Sequence, residues 1–206
     1  MSFWSREMTR LVLFLTAVLA LAGCASSNNP LAPSQAATAD YKYLIGPGDS
    51  VNIIVWRNPE LSMSVPVRPD GKLTSPLIED LVAIGKNPTD LAREIEKKLT
   101  KFIQDPVVTV IVTNFVGPFS EQIRIVGSAT RPSALPYRQN MTVLDAMIAV
   151  GGITEYASGN RAVLIRTADS SKQYTLRLRD LLRHGDVSAN ADLRPGDVII
   201  IPEGFF

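Results

Sequence analysis

The chain has one cysteine and one histidine in 206 residues. A lone cysteine forms no internal disulfide, and one Cys plus one His cannot complete a Cys/His zinc site. Aromatic residues are sparse, at 7%. Neither sign of charge dominates: 21 Lys and Arg stand against 20 Asp and Glu, a formal net charge of +1. That balance carries no electrostatic footprint for nucleic acid. What is present, 46% hydrophobic and 20% charged residues, suits a folded chain rather than a disordered one. The length accommodates one large domain or two small ones, each with a modest core.

The apolar residues are unevenly placed. Arg6, Glu7 and Arg10 precede an uncharged run at 11–22, LVLFLTAVLALA. A run of about 12 residues is short of the ~20 needed to span a bilayer, and it fits the apolar core of a secretory signal peptide. The tetrad Leu21-Ala22-Gly23-Cys24 resembles the bacterial lipobox. In that class cleavage falls before the cysteine, which becomes the acylated N-terminus. Residues 1–23 then form the signal peptide, and a covalent lipid on Cys24 is the one attached group expected. Two or more acyl chains anchor stably where one does so only marginally. Ala25 rather than Asp after the cysteine favours, in the class it resembles, the outer membrane. The competing readings are an ordinary signal peptide with an incidental cysteine and an uncleaved anchor helix.

Residues 1–23 hold two of the basic and one of the acidic residues, which leaves 19 of each in the remainder. A neutral remainder implies no basic patch for anionic lipid. Residues 24–40 contain little that can be buried: ASSNNPLAPSQAATA has no charge and no aromatic. They are expected to be a flexible tether.

Two modules follow. In the first, residues 41–116, the β-rich run SVNIIVW at 50–56 comes after Gly46-Pro47-Gly48-Asp49, where Gly and Pro supply a turn and Asp bonds back to nearby amides. Pro69-Asp70-Gly71-Lys72 predicts a second turn. Asn87, Pro88 and Asp90 read as N-cap, first helical position and first turn. Leu91, Ile95, Leu99 and Phe102 form one apolar stripe, with Arg93, Glu94, Glu96, Lys97, Lys98 and Lys101 on a solvated face. Asp105-Pro106 closes the helix, and VVTVIVT at 107–113 predicts a strand.

In the second module, residues 120–206, strands are expected at 122–126, 162–166, 174–178 and 198–201. Thr142 and Asp145 suggest a capping box, and Gly151-Gly152 a left-handed helix end. Pro195-Gly196-Asp197 echoes Pro47-Gly48-Asp49, each just before a strand. The echo is either a recurrent tight turn or part of what defines each module.

Together these residues resemble a known family. Tyr43-Leu44-Ile45-Gly46-Pro47-Gly48-Asp49, Val67 to Lys72, Ala92 to Leu99 and Asp105 to Val110 resemble the N-terminal domain of bacterial polysaccharide export proteins. Val126-Gly127, Thr142 to Ala146, Gly151 to Thr154, Arg166 and Leu193 to Ile199 are similar to an SLBB (soluble-ligand-binding β-grasp) domain. The resemblance implies an α+β fold: a small polysaccharide-export domain followed by a β-grasp-like SLBB domain. It implies a lipoprotein of the outer membrane, facing the periplasm, that takes part in export of capsular or extracellular polysaccharide. The implied partners are the polysaccharide, an inner-membrane polysaccharide copolymerase and further copies in a homo-oligomeric ring. The simple layout looks most like the export protein of exosortase-linked loci.

The best-known members add SLBB repeats and a C-terminal helix that crosses the outer membrane. Here the text stops at Pro202-Glu203-Gly204-Phe205-Phe206. Either a separate outer-membrane β-barrel partner forms the pore, or the protein is a ring docked below one.

No catalytic residue, cofactor-binding residue or metal ligand is expected. Glu79-Asp80 and Asp70 are the carboxylates weighed against glycoside hydrolysis, which needs a pair at a set separation. His184 is expected in an exposed loop. Polar groups near the two Pro-Gly-Asp turns and exposed arginines of the second module are the positional candidates for polymer contact. The alternative function is a monomeric lipid-anchored periplasmic binding protein for a glycan or small ligand.

Overall fold

The computed structural model describes residues 29–33 and 41–204. Cys24, the leader and Phe205-Phe206 lie outside the described residues, so the lipobox reading is not addressed by it.

The first module pairs β1 (Ser50–Val55) with β2 (Met63–Pro66) and with β5 (Val108–Asn114), both antiparallel, in the order β2-β1-β5. Alternation decides the faces: Val51, Ile53 and Val55 point inward, as do Val108, Val110 and Val112. β3 (Lys72–Ser75) and β4 (Ile78–Val82) form a hairpin. The Pro-Asp-Gly turn forms as expected, the Arg68 N–H donating to the Lys72 carbonyl at 2.8 Å. β4 was not foreseen. Glu79 and Asp80 interrupt its pattern, and Ile78 and Leu81 alone carry it inward.

Helix α1 (Pro88–Leu99) begins as its punctuation predicts, the Asn87 side chain accepting from the Asp90 N–H at 2.9 Å. Its Leu91, Ile95 and Leu99 are buried, each burial contributing about 1.5–3 kcal/mol. The stripe stops there. The helix ends at Leu99, Phe102 is exposed, and Ile103 packs on the core instead. The solvated face is also incomplete. Glu96 accepts from the Val108 N–H at 2.8 Å, and Arg93 donates to the Val108 carbonyl at 3.1 Å. These two side chains tie the start of β5 to the helix.

The second module has five strands: β6 (Gln122–Gly127), β7 (Ser133–Pro136), β8 (Ala162–Arg166), β9 (Lys172–Leu176) and β10 (Val198–Ile201). Their order is β7-β6-β10-β8-β9, with β6 and β10 parallel at the centre and the other pairs antiparallel. Helix α2 (Val143–Val150) crosses between β7 and β8 in sequence, which completes a β-grasp arrangement. Its Val143, Ala146, Met147 and Val150 enter a core with Ile123, Ile125, Leu164 and Ile199. A short helix α3 (Leu178–Arg183) follows β9. The whole is α+β, as expected.

Both ends of α2 follow from sequence. Thr142 and Asp145 form the reciprocal capping box. Gly151, at φ 78°, takes the left-handed position, and the Gly152 N–H reaches the Met147 carbonyl at 2.8 Å, a Schellman closure. The hydrogen bonds from Thr142 hold the Asp145 carboxyl below its ordinary range. A carboxyl lowered in the folded state stabilises above its unfolded pKa, and that contribution is lost as pH falls through the folded value. Thr142→Ala is expected to cost about 1 kcal/mol at pH 7 and less below pH 3. Urea midpoints at the two pH values check this; a cost that does not depend on pH removes the box from the account.

Part of the expected tether is ordered against the globule. The backbone at Leu31 bridges Thr175 of β9 in parallel.

Candidate functional site

The two Pro-Gly-Asp turns share one device. In each, the Asp carboxylate reaches back to the N–H three residues earlier: Gly46 for Asp49 and Arg194 for Asp197, both at 2.9 Å. Each Asp is fully buried. The echo in the sequence is therefore a buried staple at the head of β1 and of β10, and not only a surface turn.

The two staples carry different loads. Asp49 Oδ2 also accepts from the Tyr43 hydroxyl at 2.7 Å, while Oδ1 accepts from the Val116 and Gly117 N–H groups at 2.7 and 2.9 Å. Burial, and then the bond to Asp49, push the Tyr43 hydroxyl far above its ordinary pKa. Here the backbone crosses itself. A Cβ on Gly46 would lie 2.0 Å from the Gly117 carbonyl carbon, so only glycine fits. Gln122 donates to the carbonyls of Val116 and Gly117 at 3.3 Å. The connection between the modules is thus held from both sides.

Asp197 faces Arg166, whose Nε lies 3.5 Å from Asp197 Oδ2 and whose Nη2 donates to the Asp192 carbonyl at 2.8 Å. Arg166 also lies over the Tyr174 ring. Asp197 Oδ1 has no hydrogen-bond partner among the described residues. Burial, only partly offset by the Arg194 N–H and Arg166, raises the Asp197 pKa. Arg166, one of the residues that resemble an SLBB domain, is thus buried in the core and is not among the exposed arginines of the second module.

Beside this turn opens a shallow cleft of about 540 Å³ lined by Ser120, Glu121, Arg124, Thr167, Arg194 and Gly196, among others. The parallel pairing of β6 with β10 creates it, since Arg124 sits opposite Val198. Arg194 is held by both oxygens of Asp169 at 3.2 Å, and Arg124 is exposed. Burial raises the Glu121 carboxyl, against the opposing hydrogen bond from Tyr41. The Tyr41 hydroxyl is pushed up to about 12, by burial first and then by Glu121. Hydroxyls, guanidinium groups and one carboxylate offer donors and acceptors of the kind that meet sugar hydroxyls. Glu121 is the one acid in this wall, whereas glycoside hydrolysis takes two flanking carboxylates.

The other candidates disperse. Glu79 and Asp80 lie on β4, and Arg68 bridges Asp80 and Asp70 on the surface. That bond holds the Asp70 carboxyl below its usual range. His184 caps the end of α3, exposed, with Nδ1 3.4 Å from Asp180. Among the described residues no three His, Cys, Asp or Glu side chains group as a metal site, and no helix is long and apolar enough to cross a membrane. Glu121, Arg124 and Thr167 were not read from the sequence as a site. The one local signal near them is the turn at 194–197.

Comparison with known proteins agrees with this architecture. Residues 37–113 match the polysaccharide biosynthesis/export protein model, and residues 121–201 match the SLBB domain model. The EPS I polysaccharide export outer membrane protein EpsA of Ralstonia nicotianae is 26% identical over 78% of the chain and 47% of its own length. The exopolysaccharide production protein ExoF of Rhizobium meliloti is 28% identical over 95% of the chain and 47% of its own length. The chain thus spans about half the length of the curated relatives it matches. With both models matched in order, the chain carries a polysaccharide biosynthesis/export protein domain followed by an SLBB domain.

Proposed function

We propose that the protein is a non-catalytic component of an exopolysaccharide or capsule export machine. It is anchored by lipid on Cys24 to the outer membrane, faces the periplasm, and forms or supports an oligomeric conduit for the polymer. The observation that carries this reading is the pair of adjoining family matches in one chain, downstream of a tetrad, Leu21-Ala22-Gly23-Cys24, that resembles a lipobox. The names of the relatives support export of exopolysaccharide as the process. The partners in this reading are the polysaccharide, an inner-membrane copolymerase, an outer-membrane β-barrel and further copies of the chain. The cleft beside Asp197 supplies polymer contacts through Arg124, Ser120 and Thr167, weak enough individually to let a chain pass.

Deleting the gene is expected to abolish surface polysaccharide while synthesis continues. The wild-type gene restores it, and Cys24→Ala does not, since that variant no longer incorporates palmitate. Unchanged surface polymer in the deletion strain sinks the export reading. Palmitate incorporation by Cys24→Ala sinks the anchor.

A further inference from the structure

The five-stranded sheet has two edges. β7 is short and is bounded by Pro132 and Pro136, residues that blunt an edge. β9 has no such defence of its own, and residues 29–33 lie along it. Thr175 turns its backbone outward: its N–H donates to the Pro30 carbonyl at 2.8 Å, and its carbonyl accepts from the Ala32 N–H at 3.3 Å. Its hydroxyl donates to the Asn29 carbonyl at 3.1 Å, and the Asn29 amide donates to Gln173 at 3.3 Å. Ala32 packs against the second core. The segment's own outer side is nearly mute. Pro30 and Pro33 have no N–H and that of Ala32 is spent on Thr175, so of the five residues Asn29 and Leu31 are left to offer one to a further strand.

We propose that residues 29–33 are a built-in strap that fills the β9 edge of the same chain, and that it sets how far the globule reaches from its anchor. The strap itself rests on these contacts; its bearing on reach rests on the Cys24 lipid proposed above. With the strap seated, four residues lie between Cys24 and Asn29, five chain steps that span at most about 18 Å. With it released, the next described residue is Tyr41, and the length of chain back to Cys24 sets an upper limit of about 60 Å. Seating the strap thus keeps the second module against the membrane side and closes the edge to other chains at the same time.

Leu31→Cys with Thr175→Cys, in the mature chain carrying Cys24→Ser, tests the pairing. Mild oxidation is expected to give a disulfide within one chain, seen as a monomer with altered mobility. A crosslinked dimer makes a second copy the occupant and overturns the proposal, as does the absence of any disulfide. As a second readout, Ala32→Pro removes the donor to Thr175. Amide exchange at Thr175 is expected to speed up at least tenfold while core amides such as Leu164 stay protected. Unchanged exchange at Thr175 overturns the strap. Both measurements use unacylated protein, so palmitate labelling fails or succeeds separately from them.

Discussion

Asp49→Ala is expected to lower the stability of the first module by about 4 kcal/mol. Asp49 is the single acceptor shared by four donors: the Tyr43 hydroxyl and the N–H groups of Gly46, Val116 and Gly117. Gly46 and Gly117 are buried, so water does not take over for their amides. A buried donor left without a partner costs about 1–3 kcal/mol. Two such losses, plus the weakened turn, give the figure above, a large share of the 5–15 kcal/mol typical of a domain. Asp49→Asn also falls short, because its amide nitrogen meets donors on one side. Urea unfolding followed at Trp56, the one tryptophan beyond residue 23, reports on this module rather than the other. A loss below 1 kcal/mol refutes the staple.

The second large effect is expected at Arg166. Arg166→Ala strands the Asp197 carboxylate in the core, with the Arg194 N–H as its remaining hydrogen bond. Removing one partner of a buried pair costs about 3–5 kcal/mol. The loss has a definite pH dependence. The Asp197 pKa is already raised in the fold, chiefly by burial, and losing the guanidinium raises it further. A carboxyl raised in the folded state favours folding below its unfolded pKa, and that advantage is lost as pH rises through the folded value. The variant is therefore most damaged at pH 8 and recovers part of the difference from wild type at pH 5. Arg166→Met combined with Asp197→Asn removes both charges and is expected to regain most of the loss, since apolar replacement of a buried pair is often neutral. Equal cost at the two pH values counts against a stranded charge.

Legibility followed sequence distance. Both ends of α2 and the start of α1 were readable because caps act within three or four residues: Asn87 with Asp90, Thr142 with Asp145, Gly152 with Met147. The Pro-Gly-Asp turns were readable as turns for the same reason. Their role as staples was not, because Asp49 gains two of its partners from Val116 and Gly117. Phe102 kept the helical period, yet the backbone left the helix at Thr100 and Ile103 took the buried place. Glu96 and Arg93 looked like solvated charges until β5 arrived beside them. The strand pattern of AVLIR does not say where Arg166 lies, and only the return of β10 gives it a buried partner, Asp197. The cleft is less legible still, since residues 120–124, 167 and 194–196 converge through one parallel strand pair. The strap was hidden by its composition. A segment without charge or aromatics has no core of its own, but it needs none when a sheet edge supplies the hydrogen bonds.

The reach of Asp49 across to Val116 and Gly117 also bears on how the protein divides. The family match to the first module ends at residue 113, and a fragment cut there keeps the helix and every strand of that module except Asn114 at the end of β5. It lacks the two amides that Asp49 Oδ1 holds and the glycine against which Gly46 is fitted. The contacts of the first module therefore extend past the residues the family model matches. Any dissection of the chain into halves has to leave residues up to Gly117 with the first half, or Asp49 loses two of its four donors.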